Sequence, residues 1–159
     1  MGNNGDSFIP RILIVESFGG HIKSLSKHLE SLALPLQTAA VIDAEAAMVR
    51  LERETIDLLI IDTCLRGKLD GYDLCRSIRS SSASYQRLPI ILLLAGYLSL
   101  ERARGIAAGA DLLLHRPVVK EELIKMIQLL LGRRSDQQAE KPPLVVPESH
   151  ALTVAPPVS

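Results

Sequence analysis

The sequence has little of what usually identifies a specialised class of protein. Its 159 residues include only three tyrosines, two phenylalanines and no tryptophan. There are two cysteines, Cys64 and Cys75, too few for a disulfide framework or a zinc motif. Free thiols of this kind are compatible with a reducing compartment, so we expect a cytoplasmic location.

The chain also has no excess of charge. Eighteen basic and eighteen acidic residues give a formal net charge of zero. Proteins that bind nucleic acid through its phosphates are usually basic, so we expect no nucleic acid partner. The apolar runs are far shorter than the roughly 20 residues that span a membrane, and no signal-peptide pattern opens the chain. We therefore expect no membrane partner.

Short apolar runs recur along the first part of the chain and predict strands. They are ILIV at 12–15, LQTAAV at 36–41, LLII at 58–61, IILLLA at 90–95 and LLL at 112–114. Strands that are apolar without alternation are typical of a parallel sheet with helices on both faces.

Helical patterns fill the intervals between these runs. Asp43 is placed to cap the second helix, and Leu74 and Ile78 share one face of the third. Apolar stripes predict the first helix through Ile22, Leu25, Leu29 and Leu32, and the fourth through Ala103, Ile106, Ala107 and Ala110. We expect Ser99 to cap the fourth helix, and the fifth to run from about Val119 to a stop at Gly132.

Five successive strand–helix units predict an α/β fold, a doubly wound five-stranded parallel sheet with helices on both faces. We assign residues 10–132 to this domain and residues 1–9 to a flexible N-terminus. Residues 133–159 contain five prolines and no apolar periodicity, which predicts a disordered Pro-rich tail.

Polar residues follow three of the predicted strands. Glu16 and Ser17 follow the first, Asp62 ends the third, and Arg116 follows the fifth. Sites in open parallel sheets lie at the carboxyl ends of the strands. Two carboxylates that meet there favour a cation, and Mg²⁺ accepts oxygen ligands. By itself, this pattern also fits strands that simply end in water. His21 is interpreted as a surface residue.

Four motifs occur in a characteristic order: RILIVES, DLLIIDTCLRGKLDG, LPIILLLAG and GADLLLHRP. Over about residues 10–131 the chain resembles the receiver domain of bacterial two-component response regulators, whose fold is flavodoxin-like. The resemblance implies that Asp62 is the phosphoacceptor and that a histidine kinase or phosphotransfer protein supplies the phosphoryl group. It also implies Mg²⁺ bound by Glu16, Asp62 and the backbone carbonyl of Cys64. No enzymatic activity is implied beyond self-catalysed transfer to the chain's own aspartate.

The chain departs from the family pattern at four positions. Ser17 replaces a metal-binding acid, so we expect weak Mg²⁺ binding, with Ser17 contributing at most through water. Leu94 replaces the hydroxyl residue that grips the phosphoryl group, and Leu113 replaces the aromatic switch. Arg116 replaces the family lysine, which is not a neutral exchange because a guanidinium is a planar fork.

Two functions therefore remain open. One is a receiver that accepts a phosphoryl group on Asp62 and signals through protein contact; the other is a degenerate pseudo-receiver that binds proteins regardless of phosphorylation. A phosphatase or mutase would require a second acid two residues after Asp62, where the chain has Cys64. The 27 residues after Gly132 are too few for a helix-turn-helix domain, so we expect a stand-alone receiver with an unknown downstream partner.

Overall fold

A computed structural model describes residues 7–135, which form five strands and five α-helices. The strands are β1 (Arg11–Val15), β2 (Gln37–Val41), β3 (Leu58–Asp62), β4 (Ile90–Leu94) and β5 (Leu112–His115). The helices are α1 (Gly19–Glu30), α2 (Ala44–Arg53), α3 (Gly71–Ser80), α4 (Ser99–Ala108) and α5 (Lys120–Ser135), with a short 3₁₀ helix at Ser84–Arg87. All strands are parallel, in the order β2-β1-β3-β4-β5, which confirms the predicted fold class.

The sheet separates two apolar layers. Leu59 and Ile61 of β3 face the layer formed with α2, α3 and α4, whereas Leu58 and Ile60 face the layer formed with α1 and α5. Every residue of β3 and β4 is buried, which explains their unbroken apolar runs. β2 is an edge strand and is largely exposed, which explains its weaker pattern.

Several local predictions are confirmed. The Asp43 carboxylate accepts a hydrogen bond from the amide of Ala46 and caps α2, as expected. On α3, Leu74 and Ile78 are both fully buried. Asp70 caps α3 in a reciprocal capping box with Asp73, so the start of this helix is defined by its own side chains.

The predicted apolar face of α4 is wrong. Ala103, Ile106 and Ala107 are exposed, and the helix turns its smallest residues, Gly105 and Ala108, toward the sheet. The reason is close packing, because a Cβ on Gly105 would lie 2.6 Å from Cδ2 of Leu113.

The predicted cap of α4 is also wrong. Leu98 occupies the N-cap position and no side chain caps the helix, while Ser99 is already its first residue.

The predicted end of α5 at Gly132 is wrong as well, because the helix continues to Ser135. Gly132 is not one of the described glycines with a positive φ, which would end a helix. The predicted tail from 133 therefore begins within α5, and residues 136–159 lie outside the described residues, as do residues 1–6. Within residues 7–135 no helix is long and apolar enough to cross a membrane.

Candidate functional site

Three side chains of the predicted site meet at the carboxyl end of the sheet. Glu16 follows β1, Asp62 ends β3, and Arg116 follows β5. Backbone hydrogen bonds continue past the strands and hold two of these residues, since the amide of Glu16 donates to Val41 and that of Arg116 to Leu94, each at 3.0 Å. Glu16 is 0% and Asp62 4% exposed.

Helix α3 begins directly against the backbone of Asp62. The amide of Gly71 donates to the carbonyl of Thr63 at 3.1 Å, and a Cβ on Gly71 would overlap the carbonyl oxygen of Asp62. Any residue with a Cβ at this position would have to displace the backbone at the end of β3. This contact explains the Asp70–Gly71 pair in the sequence, in which Asp70 caps the helix and Gly71 permits the close approach.

Arg116 connects the two carboxylates. Its Nε donates to Oδ2 of Asp62 at 2.6 Å, and its Nη2 lies 2.5 Å from the same oxygen. Nη2 also donates to Oε2 of Glu16. The remaining oxygens are held by backbone amides, Asp62 Oδ1 by Cys64 at 2.6 Å and Glu16 Oε1 by Phe18 at 2.9 Å. One guanidinium therefore neutralises one of two buried negative charges.

The pocket disfavours the ionised form of Glu16. Burial raises the pKa of Glu16 above its usual value, and the neighbouring charge of Asp62 raises it further. The amide of Phe18 and the charges of Arg116 and His21 oppose this shift without cancelling it. The pocket thus favours additional positive charge.

His21 belongs to this pocket, which the sequence did not indicate. The ring is exposed, as expected, but Nδ1 lies 3.3 Å from Oε2 of Glu16. Glu16, His21 and Asp62 each offer one metal-ligand atom, and these atoms lie within 4.8 Å of one another. The available signal was its position in the first turn of α1, which starts at the same edge of the sheet.

Comparison with known proteins identifies the family. The family model described as the response regulator receiver domain matches residues 12–128. The chain belongs to the response regulator receiver family. Receivers are domains of two-component signalling systems, and they bind Mg²⁺ at an acidic pocket.

Two curated relatives are regulatory proteins. The chain is 38% identical over 93 residues to the phosphate regulon transcriptional regulatory protein PhoB of Rhizobium meliloti, covering 58% of this chain and 40% of the relative. It is 40% identical over 96 residues to the two-component response regulator PhoP of Pseudomonas aeruginosa, covering 60% and 41%. The chain thus spans about two fifths of the curated relatives it matches.

Solved receiver structures agree along nearly their whole length. A putative response regulator from Chloroflexus aurantiacus superimposes with a TM-score of 0.74 at 27% identity, covering 79% of this chain and 100% of that one. The receiver domain of a sensor histidine kinase from Pseudomonas aeruginosa gives 0.70 at 30% identity, covering 79% and 99%. The latter structure contains a magnesium ion coordinated in its active-site cleft.

The residues of this receiver fit Mg²⁺ poorly. The hydroxyl of Ser17 donates to the carbonyl of Ile42 at 2.7 Å and accepts from the amide of Arg66 at 2.9 Å, so it is engaged away from the acids. The third donor is instead the imidazole of His21, whereas Mg²⁺ prefers oxygen ligands. The role expected for the carbonyl of Cys64 stays a prediction.

The two predicted switch positions, Leu94 and Leu113, are 0% and 1% exposed and lie in the layer with α3 and α4. A buried aromatic residue of this layer is Tyr72 of α3, which is 3% exposed. Burial raises the pKa of its hydroxyl, and the nearby hydroxyl of Thr63 opposes the shift. The guanidinium of Arg104 lies 4.1 Å from the centre of the Tyr72 ring, so this ring joins the start of α3 to α4.

Proposed function

We propose that this receiver accepts a phosphoryl group on Asp62 from a histidine kinase or a phosphotransfer protein. The observation that carries the proposal is the convergence of Asp62, Glu16 and Arg116 at the end of a buried strand. A carboxylate fixed by a rigid strand beside a cation is suited to attack phosphorus and to retain the product.

The transfer is a simple exchange at phosphorus. Oδ2 of Asp62 faces Arg116 and forms the new P–O bond, while the P–N bond of a phosphohistidine breaks and its electron pair remains on the imidazole nitrogen. Cys64 holds the other carboxylate oxygen through its amide, which fixes the orientation of the nucleophile. Arg116 offers its guanidinium to the phosphoryl oxygens, which carry up to two negative charges in the product. The chain would turn over no separate substrate.

Glu16, Asp62 and the carbonyl of Cys64 are the groups that would hold Mg²⁺ in this receiver, and we expect weak binding. Ser17 would add nothing directly, since its hydroxyl is bonded to Ile42 and Arg66.

The output of the domain is proposed to be contact with a downstream protein. Tyr97, Leu98 and Leu100 around the start of α4 are 69%, 68% and 69% exposed, and Ile106 of the same helix is 36% exposed. Exposed apolar groups that lie together are typical of protein-binding surfaces. The balanced charge offers no comparable support for nucleic acid contact.

A pseudo-receiver that binds its partner regardless of phosphorylation is the second candidate. It is favoured by Leu94 and Leu113, because neither side chain can respond to a phosphoryl group through a hydrogen bond.

Intact mass after incubation with a small phosphodonor, such as acetyl phosphate, tests the first proposal. We expect one added phosphoryl group in the natural chain and none in Asp62→Asn. Asp43→Asn is the matched control, because asparagine caps a helix as well as aspartate does. Absence of any adduct on the natural chain would favour the pseudo-receiver, and an adduct that persists in Asp62→Asn would exclude Asp62 as the acceptor.

A further inference from the structure

Arg116 lies where a divalent cation would have to bind. Its Nη2 contacts both Oδ2 of Asp62 and Oε2 of Glu16, so a single nitrogen bridges the two carboxylates. We propose that the guanidinium of Arg116 is the resident cation of this pocket and excludes a divalent metal ion from it. The inference concerns the same pocket as the proposed function but does not depend on phosphoryl transfer.

The other carboxylate oxygens are already partly engaged. Oδ1 of Asp62 accepts from the amide of Cys64 at 2.6 Å, and Oε1 of Glu16 accepts from the amide of Phe18 at 2.9 Å. A cation that bridges the two acids through Oδ2 of Asp62 and Oε2 of Glu16 would compete directly with Arg116, which holds both oxygens. Binding would require the guanidinium to leave, because two cations cannot share the same pair of oxygens without strong repulsion.

Leaving would be unfavourable for Arg116 itself. Its side chain is only 18% exposed, and its amide is fixed to the carbonyl of Leu94 at 3.0 Å. A guanidinium stays charged at every physiological pH, and its planar fork binds two acceptors at once. Glu16, which is 0% exposed, would lose its charged partner unless the metal replaced it.

A metal would gain too few ligands to offset this loss. Ser17 stands where the family pattern predicts a metal-binding acid, and its hydroxyl is engaged with Ile42 and Arg66. Among the side chains of residues 7–135, the group that could hold a metal adds the imidazole of His21 to the two acids, and an imidazole suits Mg²⁺ poorly. The exchange of acid for serine removes a metal ligand, and the exchange of lysine for arginine places a bidentate cation across the two remaining acids, so both changes disfavour a metal.

The substitution Arg116→Lys separates this inference from simple loss of a ligand. A lysine keeps the positive charge, but its single ammonium is a point charge on a flexible stem and lacks the fork that spans both acids. If Arg116 excludes the metal, Arg116→Lys should gain Mg²⁺ affinity although no ligand has been added. If the missing acid alone limits binding, only Ser17→Asp should gain affinity.

The experiment is a titration of the full chain with MgCl₂. Calorimetry measures the affinity, and the NMR signals of the amides next to Asp62 and Glu16 report where the ion binds. The natural chain, Arg116→Lys, Ser17→Asp and the control Arg87→Lys are compared. Arg87 is exposed and lies in the 3₁₀ helix, remote from the pocket. Melting temperatures without metal establish that each variant is folded.

We expect Mg²⁺ to bind Arg116→Lys at least about tenfold more tightly than the natural chain. Tenfold is the lower end of the change in metal affinity that substitutions next to metal ligands typically produce. Arg87→Lys should behave as the natural chain does, and Ser17→Asp should gain less than Arg116→Lys. Equal affinities of the natural chain and Arg116→Lys, including no measurable binding by either, would overturn the proposal. So would a larger gain in Ser17→Asp. None of these outcomes bears on whether Asp62 accepts a phosphoryl group, which the mass measurement decides.

Discussion

At the amino end of the sheet two aspartates each stand one residue before a strand, whereas Asp62 stands at the carboxyl end of one. Asp57 accepts the amide of Arg11 on its carboxylate and donates its own amide to the carbonyl of Arg11, both at 2.8 Å. Asp111 repeats this exchange with Ile90 at 2.8 and 2.9 Å. These carboxylates bind neighbouring strands together.

The carboxyl end is less completely satisfied. Its two acids share one guanidinium, and it contains the described buried side-chain atoms that have no hydrogen-bond partner in residues 7–135: the Tyr72 hydroxyl, one Glu101 oxygen and both ring nitrogens of His115. Polar groups left unsatisfied in a native structure are often the ones used in function. The comparison teaches that aspartate carboxylates bind neighbouring strands together at the amino end, whereas at the carboxyl end Asp62 shares one guanidinium with a second acid.

The largest effect is expected at the amino end. Asp111→Ala should lower the free energy of unfolding by about 3 kcal/mol, because it leaves a partly buried guanidinium and a strand amide without their acceptor. Arg79 donates to Asp111 at 2.8 Å, and the carboxylate is only 3% exposed. Urea denaturation measures the change. The control Glu54→Gln weakens a partly exposed pair with Arg50 and should cost less than about 0.5 kcal/mol. Equal losses in the two variants would contradict the structural role of Asp111.

The two thiols, one at the carboxyl end of the sheet and one in the interior, are expected to differ in reactivity. Cys64 is exposed, whereas Cys75 of α3 is buried and its thiol donates to the carbonyl of Ala108 at 3.2 Å. Burial raises the pKa of Cys75 to about 11, so at pH 8 only about one part in a thousand would be the reactive thiolate. We expect iodoacetamide to modify one cysteine per folded chain, and Cys64→Ser to abolish that reaction. Rapid modification of Cys75 would show that α3 and α4 separate readily.

The sequence was sufficient for the strands and for most of the pocket, and insufficient where packing decides between similar patterns. Unbroken apolar runs have few alternatives to buried parallel strands, so β3 and the position of Asp62 followed directly. The face of α4 did not, because its alanines and Ile106 form a periodic stripe whereas the contact with Leu113 requires a glycine at position 105. Helical periodicity detects large apolar residues and overlooks a face selected for its small size.

The roles of the charged residues at strand ends also could not be distinguished from the sequence alone. Asp57 precedes β3 and Asp62 ends it, while Asp111 precedes β5 and Arg116 follows it, so each strand has a charged residue at both ends. The register of neighbouring strands is needed to show that Asp57 and Asp111 bind backbone amides. It also brings Asp62 and Arg116 together, so that they bind each other.

A smaller effect is expected from removing the charge of Asp62. Asp62→Asn should change the free energy of unfolding by less than about 1 kcal/mol, since Glu16 still pairs with Arg116 and no isolated buried charge remains. Relief of the repulsion that raises the pKa of Glu16 offsets the lost ion pair. Urea denaturation at neutral pH checks this. A loss above about 2 kcal/mol would mean that the carboxyl end supports the fold as the amino end does.

The smallest effect is expected in residues 99–131, which include α4 and most of α5, when Asp62 is phosphorylated or bound by a phosphoryl mimic. A phosphoryl group shifts a conformational equilibrium only through contacts that differ between the two states. Leu94 and Leu113 are buried and apolar, and Leu113 packs against Gly105, so this route offers no new hydrogen bond. We therefore expect phosphorylation, or a beryllofluoride mimic, to shift the amide signals of Cys64 and Gly71 strongly and those of residues 99–131 hardly at all.

The signals next to Asp62 show that the mimic has bound. Comparable shifts across residues 99–131 would mean that another contact transmits the change, and Tyr72, whose ring joins the start of α3 to Arg104 of α4, would be the first residue to substitute.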